Sequence, residues 1–308
     1  MTKWIFGFTC WLLIIASVSC NSNEDPVRQN DQAEYHEIKV MTFNILYTTD
    51  NESTLKVLQE ADADIIGVQE TSPGRLRDLA QKLRYHYLSF KKTTANMSDQ
   101  DTGILSRFPI TRFLTNGVVV KVNPSLQVAV FSVHLSPYPY EPYDFRDGFI
   151  STAAQAVASA TAVRIPEIDP VLLEIADLQQ EGIPVFLTGD FNEPSHLDWT
   201  AGTASKNLHF GKIVEWPVSK KVLQLGMIDA YRNKLPDPAN FPGNTWTTWE
   251  AADEVYDRID IIYHTPSPAY TLTDIRLVGG TSDLAAGIKV ENYGSDHYGV
   301  IATYNLGL

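Results

Sequence analysis

Residues 184–192 read Pro-Val-Phe-Leu-Thr-Gly-Asp-Phe-Asn. The apolar run from Pro184 to Thr188 predicts a buried β-strand, and directly after it stand a carboxylate, Asp190, and an amide, Asn192. The same order recurs along the chain. A strand over 40–46 carries Asn44, one over 64–69 ends at Gln69 with Glu70 next, one over 126–135 delivers His134, and one over 258–263 carries Asp260. A Ser-Asp-His run supplies Asp296 and His297. Any one of these has an ordinary explanation: Asp190 as a turn cap after Gly189, His134 as a hydrogen-bonded core histidine, Glu70 as the partner of a surface arginine. Taken together they bring many ionisable groups to the C-terminal sides of apolar strands, where uncompensated burial is costly. Clustering around a hard cation, which takes oxygen ligands, removes that cost.

Working outward, further strands are expected over 103–105, 117–122, 271–277 and 298–304, and short helices over 53–61 and 74–83. The Ala-rich run 149–164 predicts a helix that Pro166 and Pro170 end, with a separate helix over 171–180. Strands dominate without regular βαβ alternation, so the class is α+β.

In order and over residues 40 to 300, these motifs resemble those of the endonuclease/exonuclease/phosphatase superfamily. The resemblance implies a four-layer α/β sandwich, two packed mixed β-sheets flanked by helices, with the site at one edge where loops from both sheets meet. It implies a phosphoesterase dependent on Mg²⁺, with Mn²⁺ as the alternative. Glu70 corresponds to the principal metal ligand, with Asn44 beside it and Asp296 contributing. His297 corresponds to the catalytic histidine and Asp260 to its carboxylate partner. Asp257 is a rival for that role, and since it lies three residues from Asp260 on the predicted strand, only one of the two can face the imidazole. Asp190 would orient or deprotonate the attacking water, while Asn192 and His134 would donate hydrogen bonds to the phosphoryl group. Asp190 and His297 both stand as the base.

The segment Ser136-Pro-Tyr-Pro-Tyr-Glu-Pro-Tyr-Asp-Phe-Arg146 reads as a proline-stiffened loop in which Tyr143 and Arg146 could stack on a ring and clamp an anion. Trp199 and Trp246 are further candidate substrate readers, with core packing as the competing account. A net charge of −13 gives no general cationic field for a nucleic-acid backbone. A small-molecule or lipid-headgroup phosphoester is therefore the expected substrate. A secreted nuclease acting on DNA or RNA is the alternative, and a catalytically silent binding protein on the same fold is the alternative of another class.

Residues 1–20 run from Lys3 through an apolar stretch to Ser19 and Cys20, which reads as a signal peptide. The small residues before Cys20 resemble a bacterial lipoprotein cleavage site, although Ser17 replaces the usual branched apolar residue. Residues 21–35 read as a flexible tether and 36–308 as the folded domain. The expectation is an exported monomer, either anchored in the membrane through a lipid on Cys20 or secreted or periplasmic. Cys10 is the only other cysteine, so the domain past residue 20 has no thiolate ligand and no disulfide to form.

Overall fold

A computed structural model describes residues 36–91, 101–280 and 287–307; the expected signal peptide (1–20) and tether (21–35) lie outside the described residues. Thirteen strands are described: β1 (Glu37–Asn44), β2 (Ile65–Thr71), β3 (His86–Phe90), β4 (Asp101–Ser106), β5 (Ile110–Phe113), β6 (Gly117–Lys121), β7 (Gln127–His134), β8 (Val185–Asp190), β9 (Ile228–Asp229), β10 (Asp260–His264), β11 (Tyr270–Gly279), β12 (Ile288–Lys289) and β13 (Gly299–Leu306). The helices are α1 (Asn51–Ala61), α2 (Pro73–Leu83), α3 (Glu141–Asp147), α4 (Ala153–Gln180), α5 (Ala201–Ser205), α6 (Pro217–Gln224) and α7 (Ala230–Lys234). One mixed sheet runs β12-β11-β13-β1-β2-β4-β3 and the other β5-β6-β7-β8-β10-β9.

The period-2 alternation of the strands makes the layers. Ile38, Val40, Ile65, Val128, Val130, Phe186 and Ile262 face the space between the sheets. Their chain neighbours Met41, Phe43, Ile66 and Val68 face outward against Val57 and Leu58 of α1 and Leu76 and Leu79 of α2. On the other side Phe131, Leu187 and Ile261 meet Ile168, Val171 and Ile175 of α4 and Val218 and Val222 of α6. The result is helix, sheet, sheet, helix, the four-layer sandwich expected.

Two local expectations are corrected. Helix α4 runs unbroken for 28 residues with Pro166 and Pro170 inside it. Each proline deletes one N–H donor, whereas Ile168, Val171, Leu172, Ile175 and Leu178 are buried and hold the helix against the sheet across both. The tyrosine-rich segment is not all loop either, because Glu141 to Asp147 form α3. Among the described residues no helix is long and apolar enough to cross a membrane.

Candidate active site

Following the inward-facing rows toward one edge, apolar side chains give way to polar ones: Ile38, Val40, Thr42, Asn44 on β1; Ile65, Gly67, Gln69 on β2; Val128, Val130, Ser132, His134 on β7; Phe186, Thr188, Asp190 on β8. Register sets these ends side by side. Parallel pairing places Asn44 beside Gln69 and His134 beside Asp190, and antiparallel pairing places Asp260 beside Asp190. Asp260 opens β10, and Asp296 and His297 precede β13, so these three stand at strand beginnings, contrary to expectation. They reach the same edge because β10 and β13 run antiparallel to β8 and β1.

Buried Gln69 ties the sheets together, donating to Ser132 Oγ at 3.0 Å. Behind it the sheets approach so closely that a Cβ on Gly67 would lie 2.0 Å from Thr188 Oγ1. Glu70 sits at a bulge in β2 with φ of 55°, and such a bulge re-aims a side chain. Its Oε2 accepts from Tyr47 N–H at 3.0 Å and its Oε1 from Asn44 Nδ2 at 3.1 Å.

The centre is a buried hydrogen-bonded chain. His297 Nδ1 meets Asp260 Oδ2 at 2.8 Å, and His297 Nε2 lies 3.7 Å from Asp190 Oδ2. Asp190 accepts from Asn44 Nδ2 at 3.0 Å and from Asn192 N–H at 2.9 Å, with His134 Nε2 at 3.5 Å. Burial opposes the charge on His297, but the Asp260 and Asp190 carboxylates outweigh it and raise the imidazole's pKa. Burial raises the pKa of Asp190, with His297 opposing and Asp260 adding to the rise. Two groups of raised proton affinity thus lie 3.7 Å apart.

The rival partner is settled by geometry. Asp257 accepts from the Trp199 indole at 2.9 Å and from Tyr140 OH at 3.0 Å, which leaves Asp260 as the carboxylate on His297. Ser295, quoted in the Ser-Asp-His run without a role, braces this region: its hydroxyl donates to Asn44 O at 2.7 Å and accepts from His297 N–H at 3.1 Å. Thr245 Oγ1 accepts from the backbone N–H of Asp260 at 2.9 Å, a contact that nothing local in the sequence signals.

A cavity of about 210 Å³ opens onto the chain, with Glu70, Asp296, His134, Asp190, Asn192 and His297 at its polar end. Pro137, Tyr138, Tyr140, Tyr143, Trp246 and Ile259 form its other walls. Trp246 Nε1 donates to Tyr143 OH at 2.8 Å, so these two expected readers form one surface. The other two do not join them. Trp199 is wholly buried, edge-on to Trp216 at 5.2 Å, and has no surface to offer a substrate. Arg146 lies over the outer face of the Tyr143 ring at 4.3 Å and its guanidinium is engaged by Asp147, so it lines an adjoining cleft and clamps nothing in this cavity.

The residues present suit a hard divalent cation. Asp296 Oδ1 is buried without a hydrogen-bond partner and lines the cavity with Glu70, and burial raises the pKa of Asp296, with His297 opposing and Glu70 adding. Glu70 and Asp296 are therefore the oxygen donors that would hold it. Asn44 lies between the carboxylates: its side-chain oxygen accepts from Leu46 N–H at 3.1 Å and keeps a second lone pair, and its NH₂ donates to Glu70 and Asp190. Asp190, Asp260 and His297 form a separate carboxylate–imidazole group whose ligand atoms lie within 4.8 Å of one another.

Carboxylates, amides and imidazoles are thus gathered at one edge of a four-layer sandwich, between its two sheets. The chain belongs to the endonuclease/exonuclease/phosphatase family, whose sequence profile matches residues 41–297 and whose members are hydrolases acting on phosphoesters. It is similar to the uncharacterized protein F14F9.5 of Caenorhabditis elegans, 27% identical over a 316-position alignment that covers 95% of this chain and 97% of that one. Among solved structures it resembles the human nocturnin catalytic domain with bound sulfate anion, with 16% identity, TM-score 0.54, and 88% and 95% of the two chains covered. It also resembles Danio rerio TDP2 complexed with single strand DNA product, with 15% identity, TM-score 0.51, and 88% and 100% covered. At such identities the two structures share the fold.

Proposed function

We propose that this protein is a divalent-metal-dependent phosphodiesterase or phosphatase, using Mg²⁺ with Mn²⁺ as the alternative, that hydrolyses a small-molecule or lipid-headgroup phosphoester outside the cytoplasm. The observation that carries the reading is the Asp260–His297 pair set against Asp190, in one cavity with Glu70 and Asp296. When bound, the cation supplies Lewis-acid stabilisation of charge on the non-bridging phosphate oxygens. Asp190, its proton affinity raised by burial, orients the water and takes its proton. Asp260 fixes the His297 imidazole, whose Nε2 points toward the reacting centre. His134 and the Asn192 amide, both lining the cavity, donate to the phosphoryl group.

A nucleic-acid substrate, as in the Danio rerio TDP2 complex, is the second reading. The net charge of −13 and the carboxylates of Glu254 and Asp253 beside the cavity argue against it. The test is hydrolysis of bis-p-nitrophenyl phosphate, single-stranded DNA, sphingomyelin and inositol phosphates with Mg²⁺ and with chelator. Turnover is expected only with metal, with kcat down about 10²–10⁴-fold in His297→Ala; turnover that survives chelator, or preference for DNA, overturns the reading. Export and anchoring rest on residues 1–20, and fractionation with radiolabelled palmitate should find label in the membrane fraction that Cys20→Ala loses. Label in neither form would remove the anchor.

A further inference from the structure

Beside the site lies a second, larger cleft of about 610 Å³, and a thin partition separates the two. Tyr143 forms the wall on the site's side, while Glu254, which accepts from Tyr143 OH at 2.6 Å, and Arg146, stacked on the same ring, form the wall on the other. The floor of the cleft presents Leu208, Phe210, Val255 and Tyr256, with Phe210 and Tyr256 exposed although large and apolar. Its near lip has left-handed backbone: Asn207, directly after the C-cap of α5, has φ of 58°, which asparagine adopts readily, while His209 and Phe210 at 51° and 57° are held there by their surroundings. Those surroundings are visible. The His209 ring stacks on Trp199 at 4.7 Å and Phe210 on Phe145 at 6.1 Å. Asp257 then joins the cleft to the site, lying 3.7 Å from His209 Nδ1 and accepting from Tyr140 of the cavity wall.

We infer that this cleft is a subsite for the distal arm of the substrate, and that the arm is an uncharged, ring-bearing group. The chemistry follows from the lining. Arg146, the one guanidinium lining the cleft among the described residues, is already engaged by Asp147, and Asp253 and Glu254 add negative charge, so a second phosphate is rejected. Exposed aromatic faces next to the Asn207 and Asn244 amides suit a ring with polar edges. The inference rests on the phosphodiesterase reading of the site and narrows its substrate to diesters whose far arm carries a ring and no charge.

The test uses the full chain with Mg²⁺ and p-nitrophenyl phosphodiesters whose second ester is methyl, phenylalkyl of graded length, or the same arm ending in a carboxylate. Binding of the matching non-hydrolysable phosphonates is measured by calorimetry. The phenylalkyl arm is expected to raise kcat/KM and phosphonate affinity about tenfold over methyl, and the carboxylate to abolish the gain. Phe210→Ala and Tyr256→Ala, both at partly exposed positions, should each lose most of that gain and leave the methyl ester unchanged. Hydrolysis with no arm dependence, or a preference for the charged arm, overturns the subsite while the phosphodiesterase reading stands. Phenylalkyl phosphonate binding that needs Phe210, without hydrolysis of any ester, overturns the phosphodiesterase reading and leaves the cleft as a binding site.

Discussion

Asp257 and Asp260 show how much a single residue's neighbours decide: one is spent on an indole and a phenol, the other on the His297 imidazole. Glu193, directly after Asn192, is a sharper case. It is buried, accepts from Val218 N–H at 2.8 Å, and its other oxygen has no hydrogen-bond partner. Nearby, the fully buried Arg164 pairs with Glu141 at 2.9 Å and donates to the carbonyls of Ser136 and Pro139, which lead into the cavity wall. One guanidinium thus faces two buried carboxylates. Burial pushes the Glu193 carboxyl up to about 8, with Arg164 opposing and Glu141 adding. A carboxyl whose pKa is raised on folding favours the folded state fully below its unfolded pKa of about 4.5, and that contribution is lost as pH rises through about 8, at about 1.4 kcal/mol per unit. Glu193→Gln, which keeps the acceptor for Val218, should match the parent near pH 4 and be more stable by a few kcal/mol above pH 8. Urea denaturation at the two pH values measures this, and parallel losses in both proteins would show that Glu193 ionises freely in the fold.

At the scale of elements, the site is the polar end of the strand rows that form the inter-sheet core, so its position depends on how closely the sheets pack. Gly67 on β2 faces Thr188 on β8 with no room for a Cβ, whereas Gly74 in α2 has nothing within 4 Å. Gly67→Ala is therefore expected to cost about 1–3 kcal/mol, with a loss of turnover as the rows shift, while Gly74→Ala stays neutral or gains up to about 1 kcal/mol. Equal urea midpoints for the two variants would mean that the sheets have slack at this point. The strand rows were legible because apolar runs ending in Asn44, Glu70, His134 and Asp190 have few other uses. Strands β3, β5, β9 and β12 were missed for a physical reason: they lie at or next to sheet edges, are half-exposed or only two residues long, and carry little periodic signal. The unbroken α4 and the buried Trp199 share another cause. Tertiary packing overrode a local rule in α4, and in Trp199 it claimed a side chain that proximity to a motif marked as a reader.

Across the whole molecule, Glu70, Asp190, Asp260 and Asp296 converge at one edge of a chain already carrying −13, and His297 offsets only part of that local charge. Such a cluster opposes folding by self-repulsion and desolvation, and the fold tolerates it because most of its stability comes from the three apolar layers elsewhere. A cation held by Glu70 and Asp296 would reverse the sign of the cluster's contribution. Mg²⁺ at a hundred times its dissociation constant should then add about 2.7 kcal/mol to unfolding, which for a protein of this size is a rise in Tm of roughly 5–11 °C, and chelator should remove it. Glu70→Gln separates the two effects: without metal it should be at least as stable as the parent, since one repelling charge is gone, and with Mg²⁺ it should show little rise. If the variant keeps the full rise, Glu70 is not the ligand, and the cation belongs instead with Asp190, Asp260 and His297, whose ligand atoms lie within 4.8 Å of one another. In that event His297→Ala, not Glu70→Gln, should abolish the metal's effect on Tm, and scanning calorimetry of both variants with and without Mg²⁺ decides between the two positions.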